Sequence, residues 1–144
     1  EGAGECTPCP AGNFSTQGSS ECDPCAAGTF SAEEGAGECT PCPAGNFSTE
    51  GSSECDPCAA GTFSAEEGAG ECTPCNAGNF STEGSSECDT CAAGTYSGSS
   101  AGECTPCPAG NFSTEGSSKC DPCAAGTYSG AGSGACIPCP AGNF

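Results

Sequence analysis

Nine Cys-x-x-Cys pairs run through the chain, starting at Cys6, Cys22, Cys39, Cys55, Cys72, Cys88, Cys104, Cys120 and Cys136. Thiols at this spacing can do three kinds of chemistry: dithiol–disulfide exchange, zinc ligation, or structural cross-linking. A redox pair opens a helix in a βαβ unit and occurs once. Nine copies in a chain with 24 Gly and 12 Pro read instead as cross-links. The spacing C-x2-C-x12-C-x2-C also suits a zinc knuckle. Against zinc stand the absence of His, a single Lys, and an odd number of pairs.

Two disulfide arrangements also fit. In one, the second Cys of each pair bonds the first Cys of the next. This gives Cys9–Cys22, Cys25–Cys39, Cys42–Cys55, Cys58–Cys72, Cys75–Cys88, Cys91–Cys104, Cys107–Cys120 and Cys123–Cys136, and leaves Cys6 and Cys139 for neighbouring repeats. In the other, adjacent pairs close as blocks, such as Cys6–Cys22 with Cys9–Cys25, and one whole pair is orphaned. Spacing leaves the three arrangements open.

Other reactive groups are few. Glu5, Glu21, Glu38, Glu54, Glu71, Glu87 and Glu103 each precede a pair, and Lys119 and Ala135 break the series. Stacked carboxylates repel, and calcium bridging is one remedy; solvated turn residues are the alternative. Without His, a general acid–base constellation has no obvious members. We expect no enzyme, no catalytic residue, no cofactor and no metal beyond that calcium. The net charge of −18 excludes nucleic acid and anionic membrane surfaces as partners. Asn13-Phe14-Ser15, Asn46-Phe47-Ser48, Asn79-Phe80-Ser81 and Asn111-Phe112-Ser113 are N-glycosylation sequons, and Asn143-Phe144 would make a fifth if Ser is the next residue. The Thr-Pro steps at Thr7, Thr40, Thr73 and Thr105 are candidate O-glycan sites.

The elements that position these groups are repeats. Two half-repeats alternate, CTPCPAGNFSTQGSSE from Cys6 to Glu21 and CDPCAAGTFSAEEGAGE from Cys22 to Glu38. They make double repeats over 6–38, 39–71, 72–103 and 104–135, with a partial one at 136–144. The array is one continuous unit, read as a segment of a longer chain. Three residues after each second Cys stands a Gly, expected at positive φ in a tight turn. Two residues further stands Phe or Tyr, expected to lie on a disulfide as a miniature core. The chain has no Leu, Val, Met or Trp. At about 1.5–3 kcal/mol per buried large side chain, its nine rings cannot offset backbone ordering. Covalent links make up the difference. No 3.6-residue period exists, and Asn13–Thr16 and Thr29–Ala32 are long enough only for tiny hairpins.

The stretch Cys9-Pro10-Ala11-Gly12-Asn13-Phe14-Ser15, followed by Gly18 and Cys22-Asp23-Pro24-Cys25, resembles the C-x-x-C-P-x-G-[TN]-[FY]-S repeats of ephrin-receptor-like cysteine-rich domains. These are relatives of the tumour-necrosis-factor-receptor module, and similar arrays occur in protist surface proteins. The resemblance covers essentially the whole chain. It implies an elongated extracellular rod with tandem disulfides, and favours the pairing of Cys9 with Cys22 and its equivalents.

The expected fold is therefore small, disulfide-rich and irregular/β: a solenoid-like rod with short hairpins, no helix, and contacts mainly between neighbours. The expected place is the cell exterior or surface, with no membrane insertion in this segment. The expected function is structural: a glycosylated component of an extracellular filament, surface coat or appendage that self-assembles laterally or end to end. The alternative is the stalk or binding region of a receptor, adhesin or surface antigen.

Overall fold

The structure, a computed structural model, describes residues 4–144. The described residues contain no helix. Their regular structure is eight antiparallel hairpins of two-residue strands. From Asn13–Phe14 to Thr127–Tyr128, each Asn/Thr–aromatic step pairs with the two residues inside the next Cys-x-x-Cys. Asn13–Phe14 pairs with Asp23–Pro24, and Thr29–Phe30 with Thr40–Pro41. Asn46–Phe47 pairs with Asp56–Pro57, and Thr62–Phe63 with Thr73–Pro74. The series continues with Asn79–Phe80 on Asp89–Thr90, Thr95–Tyr96 on Thr105–Pro106, Asn111–Phe112 on Asp121–Pro122, and Thr127–Tyr128 on Ile137–Pro138. Proline is tolerated because every strand of a two-stranded sheet is an edge, and its missing N–H faces outward.

The turn that launches each first strand is built on glycine. In the first, Asn13 N–H donates to the Pro10 carbonyl at 3.1 Å, and Gly12 sits at φ 88°. That is the sign and size required at the third position of a type II turn. Thr29 N–H repeats the bond to Ala26, with Gly28 at φ 89°. The second glycine turn works similarly: Ser19 N–H donates to Thr16, with Gly18 at φ 83°. In the half-repeat over 88–103, Ser100 stands where the others have Gly and is held at φ 58°.

Eight disulfides join Cys9–Cys22, Cys25–Cys39, Cys42–Cys55, Cys58–Cys72, Cys75–Cys88, Cys91–Cys104, Cys107–Cys120 and Cys123–Cys136. Cα–Cα distances of 5.7–5.9 Å are normal for the bond. The pattern is tandem, from the second Cys of one pair to the first of the next. Cys6 and Cys139 form no disulfide with another described residue.

The chain divides into two compact units, Glu1–Cys58 with Ser64–Cys72, and Ala59–Phe63 with Thr73–Phe144. The division passes between Phe63 and Ser64 for a local reason. Thr62–Phe63 pairs forward with Thr73–Pro74, whereas Gly68 N–H reaches back to the Cys42 carbonyl at 2.7 Å.

The interior differs from the expected aromatic core. The buried apolar residues are second cysteines: Cys9, Cys25, Cys42, Cys58, Cys75, Cys91 and Cys107, all at 2% exposure or less. The aromatics from Phe14 to Phe112 are only half-buried, and Tyr128 and Phe144 are exposed. A hairpin two residues long is too small to cover a ring on both faces. The sulfur atoms, fixed by their bonds, take the inner positions.

Contacts inside each unit also reach past the nearest neighbour. A Cβ placed on Gly28 would stand 2.1 Å from the Gly68 carbonyl oxygen, two half-repeats on. The same approach joins Gly12 to Gly51, Gly61 to Ser100, Gly78 to Gly116 and Gly94 to Gly132. The glycine hydrogen at that place faces the oxygen, a geometry suited to a Cα–H···O contact. Glycine is therefore required twice over, by φ and by space.

Candidate functional site

The serine that follows each aromatic is the polar centre of the array. Ser31, Ser48, Ser64, Ser81, Ser97, Ser113 and Ser129 are 0–7% exposed. A buried hydroxyl is tolerated only when bonded. Each donates to a carbonyl of the preceding half-repeat, as Ser48 Oγ does to Thr29 at 2.9 Å and Ser81 Oγ to Thr62 at 2.9 Å. In alternate half-repeats the same oxygen also accepts a glycine N–H. Ser64 Oγ takes Gly45 N–H at 2.7 Å while donating to Asn46 at 3.1 Å. No buried side-chain polar atom among the described residues lacks a partner.

Backbone bonds frame this row. From Cys25 onward the N–H of each second Cys donates back to the turn glycine, for example Cys42 to Gly28 at 2.8 Å and Cys107 to Gly94 at 2.8 Å. The carbonyls of Cys9, Cys25, Cys42, Cys75, Cys91 and Cys107 accept from the following half-repeat, as Cys25 does from Gly51 at 2.7 Å and Cys75 from Ser100 at 2.8 Å. Sulfur, hydroxyl and backbone thus interlock in the same register along each unit. The motif displayed these serines, but nothing in local spacing marked them as buried. Their acceptors lie 18–19 residues away.

Sequence-predicted groups are distributed as follows. Asn13, Asn46, Asn79 and Asn111 are half-buried at the start of a strand, and Asn143 is exposed. Asn46 Nδ2 donates to the Ala44 carbonyl at 3.4 Å, and Asn79 Oδ1 accepts from Thr90 at 3.2 Å. The sequon serines Ser48, Ser81 and Ser113 are 0–1% exposed, so folding encloses the hydroxyl on which recognition of Asn46, Asn79 and Asn111 depends. Ser48, Ser81 and Ser113 therefore have a structural duty of their own, shared with Ser31 and Ser64 after Thr-Phe. The Glu residues that precede the pairs, including Glu21, Glu38 and Glu54, are exposed. Among the described residues no three His, Cys, Asp or Glu side chains gather closely enough to hold a metal ion. Cys6, Cys22, Glu5 and Glu21 line one surface cleft.

No helix among the described residues is long and apolar enough to cross a membrane. No curated protein matches the sequence. The family model for the tyrosine-protein kinase ephrin type A/B receptor-like repeat matches three stretches, residues 12–50, 45–82 and 110–144. Together they span well over half of the chain. Tandem disulfides persist in oxidising surroundings, and with receptor-like repeats they make this a module of extracellular, cell-surface type. The chain belongs to the ephrin type A/B receptor-like family of cysteine-rich repeats.

Proposed function

We propose that the chain is a structural component of an extracellular filament, surface coat or appendage, glycosylated at its sequons and without catalytic activity. The observation that carries this reading is the near-identity of the half-repeats, which return the same bonded serine, disulfide and turn at each step within a unit. A ligand-binding surface needs distinctive side chains at one place. Here Lys119 is the only cation, and large exposed apolar residues occur among the described residues only at Tyr128, Ile137 and Phe144. Identical surfaces repeated at a fixed step suit association with further copies of the same chain. With a net charge of −18, copies repel unless screened or bridged. Calcium between carboxylates of neighbouring copies is one such bridge, and nucleic acid is no partner.

Electron microscopy of native material, with and without reductant and with and without a calcium chelator, tests the proposal. Filaments or sheets that disperse on reduction support it. Single chains under every condition favour a receptor, adhesin or antigen stalk instead. Peptide mapping after glycosidase treatment tests the glycan claim separately: unmodified Asn46 and Asn79 in the native protein would end it.

A further inference from the structure

We infer that the Thr-Pro steps at Thr7, Thr40, Thr73 and Thr105 are attachment sites for O-linked saccharide on the folded chain, independent of the Asn sequons. The threonine hydroxyls fall into two groups. Most are engaged. Thr29 Oγ1 and Thr62 Oγ1 donate to the carbonyl three residues back, at 2.8 and 2.7 Å. Thr49 and Thr82 share a hydrogen with Ser52 and Ser85, and Thr90 donates to Asn79. Thr7, Thr40, Thr73 and Thr105 are exposed, and their hydroxyls take part in none of these bonds.

Backbone shape sets the same residues apart. Each precedes proline, which holds its neighbour in extended geometry. Thr40, Thr73 and Thr105 begin the outer strand of a hairpin, opposite Phe30, Phe63 and Tyr96. An extended segment with a free hydroxyl and no inward bond can enter a transferase groove without unfolding. In the alternate half-repeats the same strand position holds Asp23, Asp56, Asp89 or Asp121, so the acceptor recurs once per double repeat. The sequons differ: Ser48 and Ser81 are enclosed and bonded, so an N-linked glycan must be added before the repeat closes. The Thr-Pro hydroxyls stay available afterwards.

The reaction is a glycosyl transfer. Thr Oγ1 attacks the anomeric carbon of a nucleotide-activated sugar and forms the C–O bond. The bond from that carbon to the diphosphate breaks, the nucleoside diphosphate leaves, and the hydroxyl proton passes to a base of the transferase.

The test incubates folded, disulfide-intact chain with a polypeptide N-acetylgalactosaminyltransferase and UDP-N-acetylgalactosamine, and maps occupancy by electron-transfer fragmentation. Native protein is mapped in parallel. Occupancy at Thr40 and Thr73 should exceed that at Thr29 and Thr62 by about fivefold or more, the factor set by one hydrogen bond that must first break. Reduction and alkylation should shrink that ratio, and Thr40→Ala should remove one saccharide without altering its neighbours. Equal occupancy of Thr29 and Thr40 in folded chain, or native protein carrying no saccharide at any Thr-Pro step, would overturn the inference. A phosphate increment at Thr40 in native protein would overturn it too.

Discussion

Replacing Gly28 by alanine separates two reasons for glycine that usually act together, because Gly126 supplies a matched control. Both glycines stand in an Ala-Ala-Gly-Thr-aromatic step, at φ 89° and 84°. Alanine at positive φ costs about 1–2 kcal/mol at either place. Around Gly126 a new Cβ meets nothing within 4 Å, and the cost should end there. At Gly28 the Cβ would lie 2.1 Å from the Gly68 oxygen and 2.6 Å from its carbonyl carbon. Both are backbone atoms, so rotating a side chain gives no relief. Moving that segment strains the bonds from Gly68 N–H to Cys42 at 2.7 Å and from Ser48 N–H to Ala69 at 3.2 Å. Losing two bonds at about 1 kcal/mol each brings the total for Gly28→Ala to about 3–4 kcal/mol, against about 1–2 for Gly126→Ala. The difference of about 2 kcal/mol is roughly thirtyfold in an opening equilibrium. Native-state amide exchange with all disulfides intact measures it. Cys42 N–H, bonded to Gly28, reports on the first variant, and Cys139 N–H, bonded to Gly126, on the second, both at 2.8 Å in the parent chain. If Cys42 loses no more protection in Gly28→Ala than Cys139 loses in Gly126→Ala, the approach between second neighbours carries no energy and the reasoning fails.

Three further outcomes follow from the same geometry. Ser100→Gly relieves a non-glycine residue at φ 58°; after the flexibility glycine adds to the unfolded chain, about 0.5–1 kcal/mol of stabilisation should remain, read as slower exchange of the amide bonded to Cys75. Ser64→Ala leaves the Asn46 carbonyl without its hydroxyl donor, while Gly45 N–H keeps its bond to the Ser64 carbonyl at 2.9 Å. It should cost about 1–3 kcal/mol in denaturant unfolding, whereas Ser53→Ala, exposed in the neighbouring turn, should cost nothing measurable. Replacing Cys42 and Cys55 together by serine opens a link of sequence separation 13; a loss of about 3 kcal/mol, confined by exchange mapping to the adjoining half-repeats, is the expected result.

The repeat and its turns were legible in the sequence. Cys-x-x-Cys pairs in fixed phase with a glycine and an aromatic defined the half-repeat, the absence of helix and the positive φ at Gly12 and its equivalents. These are local properties: a turn of four residues needs its glycine whatever surrounds it, and an array of near-identical units must solve one problem repeatedly. Tandem pairing was one of three arrangements the spacing allowed, favoured by resemblance. The tertiary structure decided what lies inside. Phe14 and its equivalents looked like the core because rings are the largest apolar groups available, yet they rest half-buried while Cys25, Cys42 and Ser48 are enclosed. Burying Ser48 needs the Thr29 carbonyl 19 residues away, and packing Gly28 tightly needs the Gly68 carbonyl two half-repeats on. Neither partner leaves a local pattern, because only the packing of one half-repeat on another within a unit brings them together.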